Sequence, residues 1–198
     1  MNLWEPESEL KKRGYIAICG VDEAGRGALA GPVFAAAVIL PFGASLKGLN
    51  DSKKLTATAR ERLFDEITSI AVSYFIAKAE HDEIDKINIL NASLLAMNRA
   101  IEGLGVKPDI ALIDGNQNAG IKHFNECLTG GDGKSASIAA ASILAKVGRD
   151  RYMTDISTVY SKYAFDKHKG YGTKLHYEKL REFGACDIHR NTFLKRLH

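Results

Sequence analysis

Two adjacent carboxylates followed by a glycine turn form the part of the sequence best suited to chemistry. Asp22 and Glu23 directly follow an apolar run, and Gly25, Arg26 and Gly27 come next. Neighbouring acids repel each other and lose hydration when buried, unless a cation lies between them. Hard divalent ions such as Mg²⁺ take carboxylate oxygen as a ligand, and glycine lets a backbone approach a ligand closely. By itself, the segment is equally compatible with an acidic pair exposed in a turn.

Further acids occur in similar surroundings. Asp114 ends a short apolar run, as Asp22 does, and Gly115 follows it. Adjacent strand ends bring such side chains within ligand distance of shared ions. A fourth acid is either Asp132, set between glycines before a long helical segment, or Asp150 farther along that segment. The position nearer the strand ends favours Asp132, and oxygen-rich clusters of this kind suit phosphoryl transfer assisted by two metal ions.

These acids require a sheet and helices to position them. Apolar, β-rich runs predict strands at 15–21, 33–40, 72–77, 110–113 and 122–128. Apolar residues at helical spacing predict helices at 56–70, 91–104, 135–160 and 175–183. Strands that later alternate with helices indicate the α/β class, with a mixed sheet flanked by helices. Because no repeat or linker divides the sequence, residues 1–198 are predicted to form one domain.

The composition excludes several classes of protein. Hydrophobic residues make up 45% of the chain and charged residues 26%, close to the globular average, which excludes a largely disordered protein. The longest apolar run, 33–40, has 8 residues, whereas a membrane-spanning helix needs about 20. With a charged N-terminus, this predicts a cytoplasmic protein with no membrane association. Cys19, Cys127 and Cys186 are too widely spaced to encode a zinc site, so any metal is expected to be held by oxygen.

Positive charge is concentrated near the C-terminus. Residues 162–198 contain nine Lys and Arg against four Asp and Glu, although the net charge of the chain is only +3. Aromatic residues, including Tyr163, Phe165, Tyr171 and Tyr177, are interspersed there. A basic segment with aromatic side chains favours a polyphosphate partner through counterion release and stacking. The charge alone is equally typical of a solvated helical face.

The order of the motifs resembles that of ribonuclease HII, the bacterial type 2 ribonuclease H family. The resemblance covers nearly the whole chain and depends on the motifs at 22–27, 50–55, 114–116, 140–147 with Arg149 and Asp150, and 169–173, followed by His189 and Arg190. It implies a ribonuclease H-like mixed five-stranded sheet flanked by helices, with a basic helical C-terminal segment at about 162–198. It also implies an endonuclease that cuts the RNA strand of RNA-DNA hybrids. The resemblance further implies that the enzyme nicks duplex DNA 5′ to an embedded ribonucleotide, leaving 3′-hydroxyl and 5′-phosphate ends.

The resemblance further implies roles for individual residues. Two Mg²⁺ or Mn²⁺ ions would be bound by Asp22, Glu23, Asp114 and Asp132. The substrate would be contacted by Gly25, Arg26, Gly27, Lys53, Ser142 and Tyr171. The glycine turn would meet the 2′-hydroxyl, which distinguishes RNA from DNA, and Tyr171 would lie against the sugar at the junction. In this family the fourth acid usually follows a Lys-Gly pair, whereas Gly130 and Gly131 precede Asp132 here.

Other interpretations of these segments are weaker. Gly25, Gly27 and Ala30 match the spacing of a dinucleotide-binding turn, but the preceding acids would repel a pyrophosphate. Residues 133–135 resemble the end of a P-loop, but Leu128 stands where that motif needs a glycine. A non-catalytic nucleic-acid-binding module would explain the basic segment, yet it would gain nothing from acids beside phosphate. We therefore expect a monomeric, metal-dependent nuclease.

Overall fold

The computed structural model describes residues 2–49, 55–116 and 119–195, which form a five-stranded sheet flanked by helices. The strands are β1 (Ile18–Ala24), β2 (Val33–Ile39), β3 (Ser73–Ala79), β4 (Ile110–Asp114) and β5 (Asn125–Leu128). The helices are α1 (Glu5–Lys12), α2 (Ala57–Ile70), α3 (His81–Glu102), α4 (Ala136–Val159), α5 (Phe165–His168), α6 (Lys174–Phe183) and α7 (Asn191–Leu194). Short 3₁₀ helices occupy Gly131–Gly133 and Ser161–Tyr163.

The sheet is mixed, and its strand order is β3-β2-β1-β4-β5. β2 runs antiparallel to both β1 and β3, whereas β1, β4 and β5 run parallel. Val21 of β1 pairs with Ile113 of β4. The next residues, Asp22 and Asp114, therefore lie at the same level on neighbouring strands. The predicted α/β class and the mixed five-stranded sheet are confirmed.

Alternating side chains of the sheet form a separate core on each face. Val21, Ala35 and Ala37 belong to a cluster that includes α3 residues such as Ala96. Ala36 and Val38 point the other way, into a cluster built from α2 and α4. This alternation follows from the two-residue period of a strand, and it leaves the carboxyl ends of β1 and β4 free to carry polar side chains.

Helix α4 lies unusually close to β1. A Cβ atom at Gly20 would stand 2.1 Å from the carbonyl carbon of Ser137 and 2.3 Å from the backbone nitrogen of Ile138. Only a glycine at this position of the strand allows the helix to approach so closely. The first turns of α4 are thereby held against the strand that carries Asp22.

Several predicted boundaries differ from the structure. Strand β1 begins at Ile18, three residues after its predicted start, and β5 begins at Asn125 instead of residue 122. Helix α3 begins at His81, because Glu80 and Glu83 form a capping box there. Its backbone is kinked at Asn88, where φ is 65°. This kink interrupts the helical spacing of apolar residues, so the prediction found only the second half of the helix. Helix α1 was not predicted.

The C-terminal segment is helical, as predicted, and packs against the turn that follows β1. Isolated β-bridges pair Ala28 with Tyr171 and Ala30 with His189. Helix α6 begins after Thr173, whose side chain accepts a hydrogen bond from the backbone N–H of His176. The described residues contain no helix with both the length and the apolar character needed to cross a membrane.

We predict that Gly20→Ala lowers the free energy of unfolding by about 1–3 kcal/mol, because the added methyl group overpacks the β1–α4 contact. Urea denaturation measures this change. The control is Gly105→Ala, where the nearest atom to an added Cβ is 3.8 Å away. Equal stability of the two variants would contradict the close packing described here.

Candidate active site

The ends of β1 and β4 form one wall of a polar pocket of about 280 Å³. Three of the predicted acids, Asp22, Glu23 and Asp114, line this pocket. Asp22 is only 5% exposed, and its Oδ1 accepts a hydrogen bond of 2.7 Å from the backbone N–H of Glu23. Acids from two distant stretches of chain therefore line one pocket at this edge of the sheet.

The buried carboxyl of Asp22 lies in an electrostatically unfavourable position. Burial is the largest cause that raises its pKa well above the usual range, and the charges of Glu23 and Asp114 raise it further. Hydrogen bonds from Ser142 and from the backbone of Glu23 act in the opposite direction. Net unfavourable charge in a pocket with carboxylate oxygens is what a bound cation would relieve.

Asp132 is close to Asp114, because the residue before it contacts the Asp114 side chain. It sits in the 3₁₀ helix Gly131–Gly133 and is 7% exposed. The preceding backbone N–H, of Gly131, donates a hydrogen bond of 2.7 Å to Oδ1 of Asp114. The two acids are thus neighbours through this contact, although Asp132 is not among the residues that line the pocket. In residues 2–49, 55–116 and 119–195, no three His, Cys, Asp or Glu side chains are grouped as ligands of one metal ion.

Asp132 lies in the turn before α4. This turn is held in place by α1, the N-terminal helix that was not predicted from the sequence. Glu7 of α1 is buried, and its Oε1 accepts hydrogen bonds from Ser135 Oγ at 2.6 Å and from the backbone N–H of Ser137 at 2.9 Å. A carboxylate at a helix N-terminus is favourable because unpaired N–H groups and the helix dipole meet there. Glu7 therefore stabilises the start of α4 beside the acid.

Asp150, the alternative fourth acid, has a different environment. Its Oδ1 forms an ion pair of 2.7 Å with Nζ of Lys146, one helical turn earlier on α4. Lys146 itself lines the pocket, together with Ser142 one turn before it. Asp150 is thus paired with a lysine of the pocket instead of joining the strand-end acids, and Asp132 remains the better candidate.

The glycine turn also lines the pocket. Gly25 has φ of 97°, a conformation that L residues rarely adopt. Arg26 extends toward solvent and forms an ion pair of 3.1 Å with Oε1 of Glu23. Gly25 and Arg26 both line the pocket, whereas Gly27 is exposed and lies just beyond it.

Positive and aromatic side chains complete the pocket. Arg60 of α2 and Lys146 of α4 line it, and neither was among the predicted site residues. The Ser142–Lys146 spacing of one helical turn is a signal that could have identified the lysine. Tyr171 also lines the pocket, and its ring centroid lies 5.4 Å from Nζ of Lys146. Lys53, a predicted phosphate contact, lies outside the described residues.

Comparison with known proteins identifies the family. The sequence model of the family Ribonuclease HII matches residues 19–198. The chain belongs to the ribonuclease HII family. It is 54% identical to the ribonuclease HII of Caldicellulosiruptor saccharolyticus over 99% of this chain and 96% of that protein. It is 53% identical to the ribonuclease HII of Burkholderia thailandensis over 96% of this chain and 88% of that protein.

A solved structure supports the same assignment. The crystal structure of ribonuclease H2 from Pyrococcus horikoshii OT3 shares the fold, with a TM-score of 0.75 and 26% identity, over 92% of this chain and 97% of that chain. The protein is therefore an enzyme, a nuclease of the ribonuclease H type that hydrolyses nucleic acid. The resemblance drawn from the sequence motifs is confirmed.

In the presence of a metal chelator, we expect Asp22→Asn to raise the melting temperature at neutral pH by roughly 2–4 °C. This is the shift that a gain of about 1 kcal/mol in the free energy of unfolding produces in a domain of this size. The pKa of Asp22 is raised in the folded state. Its contribution to stability is therefore present below the ordinary carboxyl pKa and is lost as the pH rises. The rise in melting temperature caused by Asp22→Asn should therefore become smaller at acidic pH. Thermal unfolding of the native protein and the variant at several pH values measures this.

The matched control for this measurement is Asp150→Asn. Because Asp150 is paired with Lys146, removing its charge should give no such gain. A loss of stability in Asp22→Asn at neutral pH, or an equal gain in both variants, would contradict the assigned electrostatics.

Proposed function

We propose that this ribonuclease cuts the RNA strand of RNA-DNA hybrids and nicks duplex DNA 5′ to embedded ribonucleotides, leaving 3′-hydroxyl and 5′-phosphate ends. The observation that carries the proposal is the buried Asp22 carboxyl beside Glu23 and Asp114, at strand ends that face the glycine turn. Family membership gives the reaction class. The acids, the basic side chains and the backbone of the glycine turn at one pocket support this particular reaction.

The carboxylate oxygens are donors of the type that divalent ions favour, although no three of the described acids are already grouped around one ion position, and two Mg²⁺ or Mn²⁺ ions are proposed. Asp22, Glu23, Asp114 and Asp132 would hold them, because hard cations favour carboxylate oxygen. A bound pair of such ions would supply activation of the attacking water and stabilisation of the leaving oxygen. The raised pKa of Asp22 supports this assignment, since a cation would offset the repulsion that causes it.

The chain's own groups bind and orient the substrate in this proposal. Arg60 and Lys146 place positive charge at the pocket, which attracts the phosphate backbone. The turn of Gly25, Arg26 and Gly27 offers backbone groups to the 2′-hydroxyl, the feature that separates RNA from DNA. Hydrogen bonding from Ser142 favours the ionised form of Asp22.

The ring of Tyr171 is held where a sugar could rest on it. The guanidinium carbon of Arg149 lies 5.1 Å from the ring centroid, and Nζ of Lys146 lies 5.4 Å from it. The bridge to Ala28 fixes the tyrosine beside the glycine turn. Since one chain carries every group assigned here, we propose that it acts as a single domain and a monomer, in the cytoplasm.

We predict that Asp114→Asn lowers kcat by roughly a hundredfold or more, the usual cost of removing one group that stabilises transition-state charge. The measurement uses a DNA duplex with one ribonucleotide, with Mg²⁺ and then Mn²⁺, and an all-DNA duplex as the control substrate. Binding of the duplex should be largely retained. If the native enzyme cuts both duplexes equally, or cuts neither with Mg²⁺ or Mn²⁺, the proposed function is overturned. Native-like cleavage by Asp114→Asn would contradict the role assigned to Asp114.

The fourth acid is tested by a matched pair of variants. Asp132→Asn is expected to lose cleavage as severely as Asp114→Asn, whereas Asp150→Asn should stay close to the native rate, because Asp150 is paired with Lys146. Rates are measured on the single-ribonucleotide duplex. The reverse order of activities would assign the fourth ligand to Asp150.

Tyr171→Ala is predicted to lower kcat at the ribonucleotide junction by about tenfold, which corresponds to about 1.4 kcal/mol, with a smaller effect on KM. Tyr171→Phe keeps the ring and should stay near the native rate. An unchanged kcat in the alanine variant would mean that the tyrosine only packs against the turn.

A further inference from the structure

Two arginines are completely buried behind the glycine turn. Arg149 of α4 and Arg190, which precedes α7, are both 0% exposed. Burial lowers the pKa of both guanidinium groups, and the pKa of Arg190 falls to about 9, with the charge of Arg149 as the second cause. Burying two positive charges near each other costs folding free energy, so their position calls for an explanation beyond packing.

Arg190 binds the turn that lines the pocket. Its Nη2 donates to the carbonyl of Gly25 at 2.8 Å, its Nη1 to the carbonyl of Arg26 at 2.9 Å, and its Nε to the carbonyl of Gly31 at 2.9 Å. Buried backbone carbonyls outside helices and strands need such donors. The planar guanidinium is the side chain with enough donors, in a fixed arrangement, to bind several at once.

Arg149 likewise binds backbone carbonyls, of residues that lie beyond the turn. It donates to the carbonyls of Pro32 at 3.0 Å, Ala30 at 3.2 Å and Lys169 at 2.9 Å. A Cβ atom at Gly25 would stand 2.0 Å from Nε of Arg149. The arginine therefore requires glycine at position 25, and it joins the turn to the segment that carries Tyr171.

The carbonyl contacts determine where the turn's N–H groups point. The carbonyl of Gly25 shares a trans peptide with the N–H of Arg26, and the carbonyl of Arg26 shares one with the N–H of Gly27. The C=O and N–H of one trans peptide point in opposite directions. Because both carbonyls face Arg190, both N–H groups face away from it, toward the outer surface of the turn.

We propose that Arg190, supported by Arg149, is a positioning residue for substrate specificity: it holds the N–H groups of Arg26 and Gly27 as a fixed pair of donors for the ribonucleotide sugar. This inference rests on the proposed function, since it assigns the sugar hydroxyl as the group that the pair recognises. Arg190 acts through the turn and does not itself contact substrate.

The test is Arg190→Lys, which keeps the positive charge but loses the planar fork. Cleavage of the single-ribonucleotide duplex gives kcat and KM, and an all-DNA duplex added as a competitive inhibitor gives its Ki. We expect kcat/KM to fall by roughly tenfold or more, as for a lost charge-assisted hydrogen bond, with little change in Ki. Arg181→Lys, an exposed arginine on α6, is the matched control and should change neither.

The outcomes separate positioning from a general structural role. If kcat/KM is unchanged in Arg190→Lys, or if Ki rises in parallel with the loss of kcat/KM, the proposal is overturned. If the native enzyme does not prefer the ribonucleotide duplex, the proposed function fails instead. The amide NMR signals of Arg26 and Gly27 then judge the positioning alone: they should shift in Arg190→Lys and not in Arg181→Lys, and unchanged signals overturn it.

A further measurement covers the case in which Arg190→Lys does not fold. The native protein is titrated without divalent ions, first with the ribonucleotide duplex and then with the all-DNA duplex. The amide signals of Arg26 and Gly27 should respond to the first duplex more strongly than to the second. An equal response to both overturns the proposal.

Discussion

The burial of the Asp22 carboxyl beside two other acids is the constraint on which the site depends. Its pKa is raised by desolvation and by Glu23 and Asp114, so the folded protein holds the ionised group at a cost. The parallel register of β1 and β4 makes this proximity unavoidable. A cation offsets that cost directly, which is why an arrangement unfavourable for stability is favourable for a metal-dependent nuclease.

Helix α4 connects the separate parts of the site. Its N-terminus is held by Glu7 and follows the 3₁₀ helix that carries Asp132. Its next turns pack against Gly20 and present Ser142 and Lys146 to the pocket. Farther along, Arg149 packs against Gly25 of the glycine turn and donates to the carbonyls of Ala30 and Pro32. One helix thus positions acids, a lysine of the pocket and the turn relative to one another.

The sequence allowed the sheet and most of the pocket to be predicted, because their signals are local. Asp22 and Asp114 each end an apolar run, and strand ends meet at one edge of a parallel pair. The features that could not be predicted from the sequence depend on contacts between residues distant along the chain. The buried arginines bind backbone carbonyls from other segments, and no spacing rule encodes such bonds. Helix α1 is short, and its amphipathic pattern becomes informative only through the contact of Glu7 with α4.

The centre for divalent ions that we propose lies at the strand-end acids Asp22 and Asp114. Diffraction from crystals soaked in Mn²⁺, at the manganese absorption edge, tests it most directly, because the ion's anomalous signal locates it without reference to activity. Manganese is expected at about 2.1 Å from oxygens of Asp22 and Asp114, the usual distance for a hard cation of this size. Manganese bound only elsewhere, with none between these carboxylates, would contradict it.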